Sequence, residues 1–256
     1  MNVNAKTFPY PTGKIPPYQL LAAIYDKIMK HVNYQHWSKY ITTIIRKHYP
    51  SAKKILDVGC GTGAFIYELT KFGFEIDGCD PSPAMLEIAK KKNPSRNFWK
   101  DQLPELREFC TKEYQVICCL YDTLNYLSTI DIVTKAIQRI YALLPEEGLF
   151  IFDVVSESLC QRYFHLSNEQ EILDDKYAYS RKSFYDKKHL QQINEFYIYT
   201  PDGIFQERHV QNIFSFHDIQ KKVLEKTCFK IIGIYENFSF LPADEKSNRA
   251  HFVLKR

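Results

Sequence analysis

The stretch Ile55-Leu56-Asp57-Val58-Gly59-Cys60-Gly61-Thr62-Gly63 constrains this chain more than any other. An apolar run ends in a carboxylate and then breaks into alternating glycines ahead of a helix-like segment. That is the pattern of a buried strand feeding a turn at the floor of a nucleotide-type cofactor site. Glycines there let the turn adopt dihedrals closed to other residues and bring backbone N–H groups close to a ligand.

The rest of the chain has room for such a site. Its 256 residues, 45% of them hydrophobic, match one globular core with an appended module. The net charge of +4 is mild, and basic and acidic residues are interspersed except at Lys90-Lys91-Lys92, which reads as the solvated last turn of a helix. Nucleic acid is therefore disfavoured as a partner. Seven cysteines, at 60, 79, 110, 118, 119, 160 and 228, lack metal-ligand spacing and fall mostly in apolar runs, as in a reduced protein with neither disulfides nor a metal. Around Pro9, Pro11, Pro16 and Pro17 there is no apolar signal core, and no run reaches the length of a membrane span. A cytoplasmic monomer or homodimer without a membrane partner is the expectation.

Periodicity predicts helices over residues 18–32 and 34–48, then the glycine stretch, then a helix over 63–72. Residues 74–79 read as a second buried strand. It ends in Asp80-Pro81-Ser82-Pro83, with Ser82 as N-cap and Pro83 at the first helical position. Short strands at 96–100, 114–120 and 149–155, with a helix over 130–144, complete an alternation of strand and helix. Beyond Ser156 the period shortens to two, and Pro201-Asp202-Gly203 is a strong turn, which together predict an inserted antiparallel meander. A helix from Ser215 and two last strands follow. The expected fold is α/β, a doubly wound, mostly parallel seven-stranded Rossmann-like sheet, with a helical cap (1–52), a core (53–156 and 215–256) and a lid (157–214).

Gly59, Gly61 and Ala64 also satisfy a loose dinucleotide fingerprint, so the glycines alone do not select the cofactor. Asp57 does. A carboxylate before the glycines can take up an ammonium group but repels a pyrophosphate, which favours S-adenosylmethionine over a nicotinamide dinucleotide. Asp80 can accept both ribose hydroxyls under either reading.

With Leu56-Asp57-Val58-Gly59-Cys60-Gly61-Thr62-Gly63, Gly78-Cys79-Asp80-Pro81-Ser82-Pro83-Ala84-Met85-Leu86 and Asp101 in view, the chain resembles a class I S-adenosylmethionine-dependent methyltransferase. Tyr25-Asp26, Tyr34 and Trp37 ahead of the core, and residues 121–127 after the fourth strand, are similar to small bacterial enzymes related to sugar N-methyltransferases and glycine N-methyltransferases. The resemblance implies that Asp57, Gly59, Cys60, Gly61 and Gly63 wrap the methionyl part and that Asp80 holds the ribose. It also implies that Pro81 and Met85 flank the adenine, that Asp101 with Gln102 meets its amino group, and that Leu120 and Tyr121 close over the methionyl moiety.

Methyl transfer from a sulfonium is an in-line displacement in which alignment does most of the work, with a base needed for a protonated amine or a hydroxyl. Tyr25 is the aromatic candidate beside the sulfonium. His209, with Glu207 on the same strand face, is the candidate base. Tyr34, Trp37 and Asn125 are candidate acceptor contacts. The expected activity is methylation of a small-molecule N or O nucleophile. Its rivals are an RNA or protein acceptor, and a cofactor-binding module without catalysis.

Overall fold

The computed structural model describes residues 10–109, 113–164 and 166–256; Pro9, Cys110 and His165 lie outside them. The apolar runs of the first half become the centre of a seven-stranded sheet, because a strand covered on both faces needs apolar side chains in both directions. In chain order its strands are β2 (Lys54–Val58), β3 (Glu75–Asp80), β4 (Phe98–Lys100), β5 (Val116–Cys119), β6 (Leu149–Val155), β11 (Lys230–Glu236) and β12 (Arg249–Lys255). In space they run β11-β12-β6-β5-β2-β3-β4. All pairings are parallel except those of β12, which lies antiparallel between β6 and β11.

Alternate side chains of the strands feed two cores. Leu56, Ile117 and Phe150 pack with helices α5 (Ile130–Leu143) and α7 (Phe216–Lys226) on one face. Ile55, Ile76 and Cys118 pack with α2 (Tyr34–His48), α3 (Ala64–Thr70) and α4 (Pro83–Lys92) on the other. The start of α4 is set as expected: the Ser82 hydroxyl accepts the Met85 N–H at 3.3 Å, with Pro83 in the first turn. Strand order reverses between β2 and β5, and at such a switch point the loops leave a crevice at the strands' carboxyl ends.

The second sheet is β1-β10-β9-β8-β7, built from β1 (Gly13–Ile15), β7 (Leu166–Ile172), β8 (Ala178–Asp186), β9 (Gln191–Thr200) and β10 (Gly203–Asn212). The last three are the expected meander. β1, β7 and the helix α6 (Glu157–Tyr163) were not expected. β1 is three residues among prolines and becomes a strand only by pairing in parallel with β10, Ile15 opposite Glu207.

The first helix is also shorter than its periodicity predicts. α1 spans Leu21–Ile28, followed by a 3₁₀ turn at Met29–His31, and packs Leu21, Ile24 and Ile28 on Tyr179, Phe196 and Ile198 of the second sheet. Tyr18, at φ +62°, stays outside it. Residues 10–20 therefore form a strap from the second sheet to the helix. The lysine run does end α4, but Lys92 reaches Asp26 of α1 at 2.7 Å and is not merely solvated. Cys60, Cys79, Cys118, Cys119 and Cys160 are buried, whereas Cys228 is exposed, and all six are free thiols. Among the described residues no helix is long and apolar enough to cross a membrane.

Candidate active site

The glycine turn takes the left-handed dihedrals its composition predicts, but its N–H groups turn to acceptors within the protein, Gly61 to Asp80 at 2.9 Å and Gly63 to the Cys60 carbonyl at 3.0 Å. Gly59 and Cys60 donate their N–H groups to the Cys79 carbonyl at 2.8 and 3.0 Å, which ties the turn to the end of β3. At Gly59, φ is +76° and an added Cβ would lie 2.5 Å from the Thr123 side chain, so no other residue fits there without strain. At Gly61 a Cβ would meet nothing within 4 Å, because that face opens on a cavity.

The cavity encloses about 770 Å³. Its floor is Gly59, Gly61 and Asp80, one wall is Pro81 to Met85, and another is Leu120, Tyr121 and Thr123. The strap closes it with Pro16, Pro17, Tyr18 and Gln19, joined by Tyr25 and Tyr126. A smaller recess of about 60 Å³ continues past Tyr25 and Tyr121, where Asp57, Tyr34, Cys60 and Thr62 face it. Of the sequence candidates, Tyr25, Tyr34, Asp57, Gly59, Cys60, Gly61, Asp80, Pro81, Met85, Leu120 and Tyr121 thus line one continuous space.

The remaining candidates sit apart from it. Gly63 is the left-handed N-cap of α3. Asp101 and Gln102 line an adjoining cleft with Pro81, and the Asp101 carboxylate accepts the backbone N–H groups of Gln102 and Glu108, both at 2.8 Å. Trp37 is buried against Tyr121, with ring centroids 5.6 Å apart. Asn125 is fully buried at the joint of the two sheets; it accepts the Val155 N–H at 3.2 Å and donates to the Asn212 carbonyl at 2.9 Å. His209 lies beneath the cavity wall, its ring 4.5 Å from that of Tyr18 and its Nδ1 3.4 Å from the Tyr126 hydroxyl.

Three features were missed by sequence reasoning. Glu207 is buried, and its carboxylate accepts the backbone N–H groups of Tyr18, Leu20 and Leu21 at 2.7, 2.6 and 2.9 Å. Arg249 pairs with Asp122 and Asp153, and Asp153 also accepts the N–H groups of Tyr121 and Asp122 at 2.6 and 3.2 Å. This network fixes the turn at Tyr121 and Asp122, both at positive φ. Asp26 accepts from the Thr62 hydroxyl at 2.6 Å and so joins α1 to the glycine turn. All three depend on partners distant in sequence.

The electrostatics bear on what the site can hold. Burial, aided by Asp80, pushes the Asp57 carboxyl up to about 8. Burial also raises Asp80, to about 6, against the opposing pull of the Ser82 and Gly61 N–H groups at 2.8 and 2.9 Å. Two buried carboxyls held above their ordinary range are stabilised by a cation. Each Asp80 oxygen takes one N–H and keeps a lone pair for a ribose hydroxyl. The residues present therefore fit a positively charged, phosphate-free nucleoside such as S-adenosylmethionine.

A Rossmann-like sheet with its carboxylates and glycine turn at the switch point defines a nucleoside-cofactor enzyme. The chain belongs to the methyltransferase domain family, whose profile matches residues 29–202, and it is an S-adenosylmethionine-dependent methyltransferase. A methyltransferase-family protein of Geobacillus sp. (strain WCH70) is 32% identical over 249 residues, 93% of this chain and 99% of its own. The dTDP-3-amino-3,6-dideoxy-alpha-D-glucopyranose N,N-dimethyltransferase of Streptomyces fradiae is 24% identical over 136 residues, 52% of each chain. In fold, a crystal structure of an S-adenosylmethionine-dependent methyltransferase from Clostridium acetobutylicum ATCC 824 is similar at a TM-score of 0.78 and 23% identity, over 93% of this chain and 98% of that one.

Proposed function

We propose that the chain methylates a nitrogen or oxygen of a small-molecule acceptor held beneath the strap. The observation that supports this most is the cavity of about 770 Å³, lined by Pro16 to Gln19 of the strap and by Tyr25, Tyr121 and Tyr126. A space of that size takes a nucleoside cofactor with a small partner.

When bound, S-adenosylmethionine supplies an activated methyl group on a sulfonium. Asp57 would hold the amino-acid end in the recess, and Asp80 would take the ribose hydroxyls. Pro81 and Met85 would flank the adenine, with Asp101 and Gln102 near its outer edge. Tyr25 and Tyr121, at the throat between recess and cavity, would turn aromatic faces to positive charge. The strap excludes water and aligns the acceptor, the main contribution a protein makes to an in-line displacement. His209 does not line the cavity, so a proton from the acceptor would reach it through the Tyr126 hydroxyl. His209 is thus a positioning and relay residue.

The test is calorimetry with S-adenosylmethionine, followed by assay of S-adenosylhomocysteine release with small amines and alcohols. Binding abolished by Asp80→Ala, together with acceptor-dependent release, is the expected result. Methyl groups found instead in RNA or protein would overturn the small-molecule reading, and binding without turnover on any acceptor would point to a non-catalytic module.

A further inference from the structure

Tyr18 stands at both ends of one ring of hydrogen bonds. Its hydroxyl lies 2.5 Å from that of Tyr126, and the Tyr126 hydroxyl lies 3.4 Å from Nδ1 of His209. Nε2 of His209 is 3.3 Å from one Glu207 oxygen, and that same oxygen accepts the backbone N–H of Tyr18 at 2.7 Å. The strap gives Tyr18, the 3₁₀ turn at Thr123–Tyr126 gives Tyr126, and β10 gives His209 and Glu207. The other Glu207 oxygen accepts the N–H groups of Leu20 and Leu21 at 2.6 and 2.9 Å.

The direction of each bond follows from Glu207. A carboxylate only accepts, so the His209 proton sits on Nε2 and Nδ1 is left as an acceptor. Tyr126 then donates to Nδ1, and Tyr18 donates to Tyr126. A hydroxyl oxygen has two lone pairs, and at Tyr126 the Tyr18 hydroxyl takes one of them, so the other stays free. Tyr126 lines the cavity, whereas His209 is 2% exposed, its ring 4.5 Å from that of Tyr18 and 5.4 Å from that of Phe196. The Tyr126 hydroxyl is thus the ring's opening to the cavity. Tyr18 itself sits at φ +62°, a left-handed conformation that a residue with a side chain keeps only where its surroundings hold it. Besides the two bonds of the ring, its carbonyl accepts from the Ser82 hydroxyl at 3.0 Å.

We infer that Tyr18 and Glu207 are positioning residues that make seating of the strap and assembly of the proton relay a single event. This inference rests on the small-molecule reading above and adds to it when the acceptor loses its proton. With the strap seated, a proton on the acceptor nitrogen or oxygen passes to the free lone pair of Tyr126 as the Tyr126 hydroxyl passes its own proton to Nδ1 of His209. The lone pair freed on the acceptor forms the bond to the methyl carbon, and the C–S bond breaks with its electron pair left on sulfur. The imidazolium so formed faces the Glu207 carboxylate, and lifting of the Tyr18 ring lets its proton leave to water. With the strap lifted, Tyr126 lacks the donor that turns its hydroxyl toward His209.

The test uses two variants that leave most of the strap's contacts in place. Tyr18→Phe removes one hydroxyl and keeps the backbone N–H on Glu207. In Glu207→Gln the one remaining oxygen is drawn to the two N–H groups of Leu20 and Leu21, so the amide NH₂ faces His209 and moves the ring proton from Nε2 to Nδ1. Nitrogen-15 NMR of histidine-labelled protein reads where that proton sits, the His209 signals being those lost in His209→Asn, and S-adenosylhomocysteine release reads kcat. The proton is expected on Nε2 in the unchanged protein and on Nδ1 in Glu207→Gln. Turnover should fall about tenfold in Tyr18→Phe and further in Glu207→Gln, with S-adenosylmethionine affinity within about threefold in both. A merely structural Glu207 would lower stability and leave the ring proton where it was. A proton on Nδ1 in the unchanged protein, an unmoved proton in Glu207→Gln, or an unaltered kcat in Tyr18→Phe overturns the inference. Failure of the unchanged protein to bind S-adenosylmethionine or to methylate any small acceptor would instead fail the reading beneath it, and the NMR measurement, which needs neither, still judges the ring.

Discussion

The carboxylate of Glu207 accepts the backbone N–H of Tyr18 at 2.7 Å, across 189 positions of chain. It does the same for Leu20 and Leu21, at the start of a helix that has no side-chain cap of its own. A helix start leaves N–H groups unpaired and attracts negative charge, so Glu207 serves as the missing cap from another sheet. The same carboxylate thereby holds the strap over the cavity.

Replacing Glu207 with alanine should release that strap. The loss of several hydrogen bonds to a buried carboxylate is expected to cost on the order of 2–4 kcal/mol, read as a lower melting temperature. Amide exchange should accelerate at Tyr18, Leu20 and Leu21 while the seven-stranded sheet stays protected. Glu207→Gln, which keeps one acceptor oxygen, should lose less. If exchange at the strap is unchanged in the alanine variant, Glu207 does not hold it.

Cofactor affinity should depend on pH through Asp57 and Asp80. With no cation bound their carboxyls sit at about 8 and about 6, so a bound cation favours ionisation and expels protons. Affinity should rise with pH up to about 6 through Asp80 and up to about 8 through Asp57, by up to roughly tenfold per unit for each. Stability of the cofactor-free protein should run the other way. A carboxyl raised by folding contributes its stability at low pH, fully below its ordinary value, and loses it as pH rises through about 8. Calorimetry in buffers of different ionisation heat counts the protons, and Asp57→Asn should remove the upper part of both profiles. An affinity flat from pH 6 to 8 would contradict this.

The proton route predicts a different signature. Tyr126→Phe should lower kcat at least tenfold and leave S-adenosylmethionine affinity within about threefold, because the lost hydroxyl acts after binding. His209→Asn should lower kcat as well, and its effect should largely vanish in the Tyr126→Phe background, since residues acting in series are not additive. Full additivity of the two would separate His209 from the reaction.

The legible parts of this protein were those whose cause is local. Ser82 and Pro83 start a helix because the cap and the fixed φ are properties of those residues, and Asp57 and Asp80 face the crevice because both lie at the carboxyl ends of buried strands. What could not be read needed a distant partner. β1 lies among prolines and exists only by pairing with β10. Tyr18 fits the helical period of α1, yet Glu207 starts that helix three residues later. Asn125 stands at a strand end, where ligands gather, but its amide meets the Val155 N–H and the Asn212 carbonyl and so fastens one sheet to the other. Arg249, at the start of the last strand, is drawn inward by two aspartates more than ninety positions away.

That arginine carries the sharpest stability prediction. Arg249 lies between Asp122 and Asp153, its guanidinium carbon 5.3 Å from the Trp37 ring centroid and 5.4 Å from that of Tyr121. Arg249→Met keeps much of the side chain's bulk on those rings but leaves the buried Asp153 and the largely covered Asp122 facing each other, which should cost about 3–5 kcal/mol. Burial pushes Asp122 upward while Arg249 pulls it down, so without the guanidinium the carboxyl moves higher still. A raised carboxyl loses its stability as pH rises, so the variant should be markedly less impaired at pH 5 than at pH 8. Asp122→Asn should rescue much of the loss, because it removes one of the unpaired charges. Since Asp153 also holds the Tyr121 and Asp122 N–H groups, the variant should weaken S-adenosylmethionine binding through the Tyr121 turn. Thermal melts across pH on the single and double variants check each step. A pH-independent loss would show that packing on Trp37 and Tyr121, and not charge, is what Arg249 supplies.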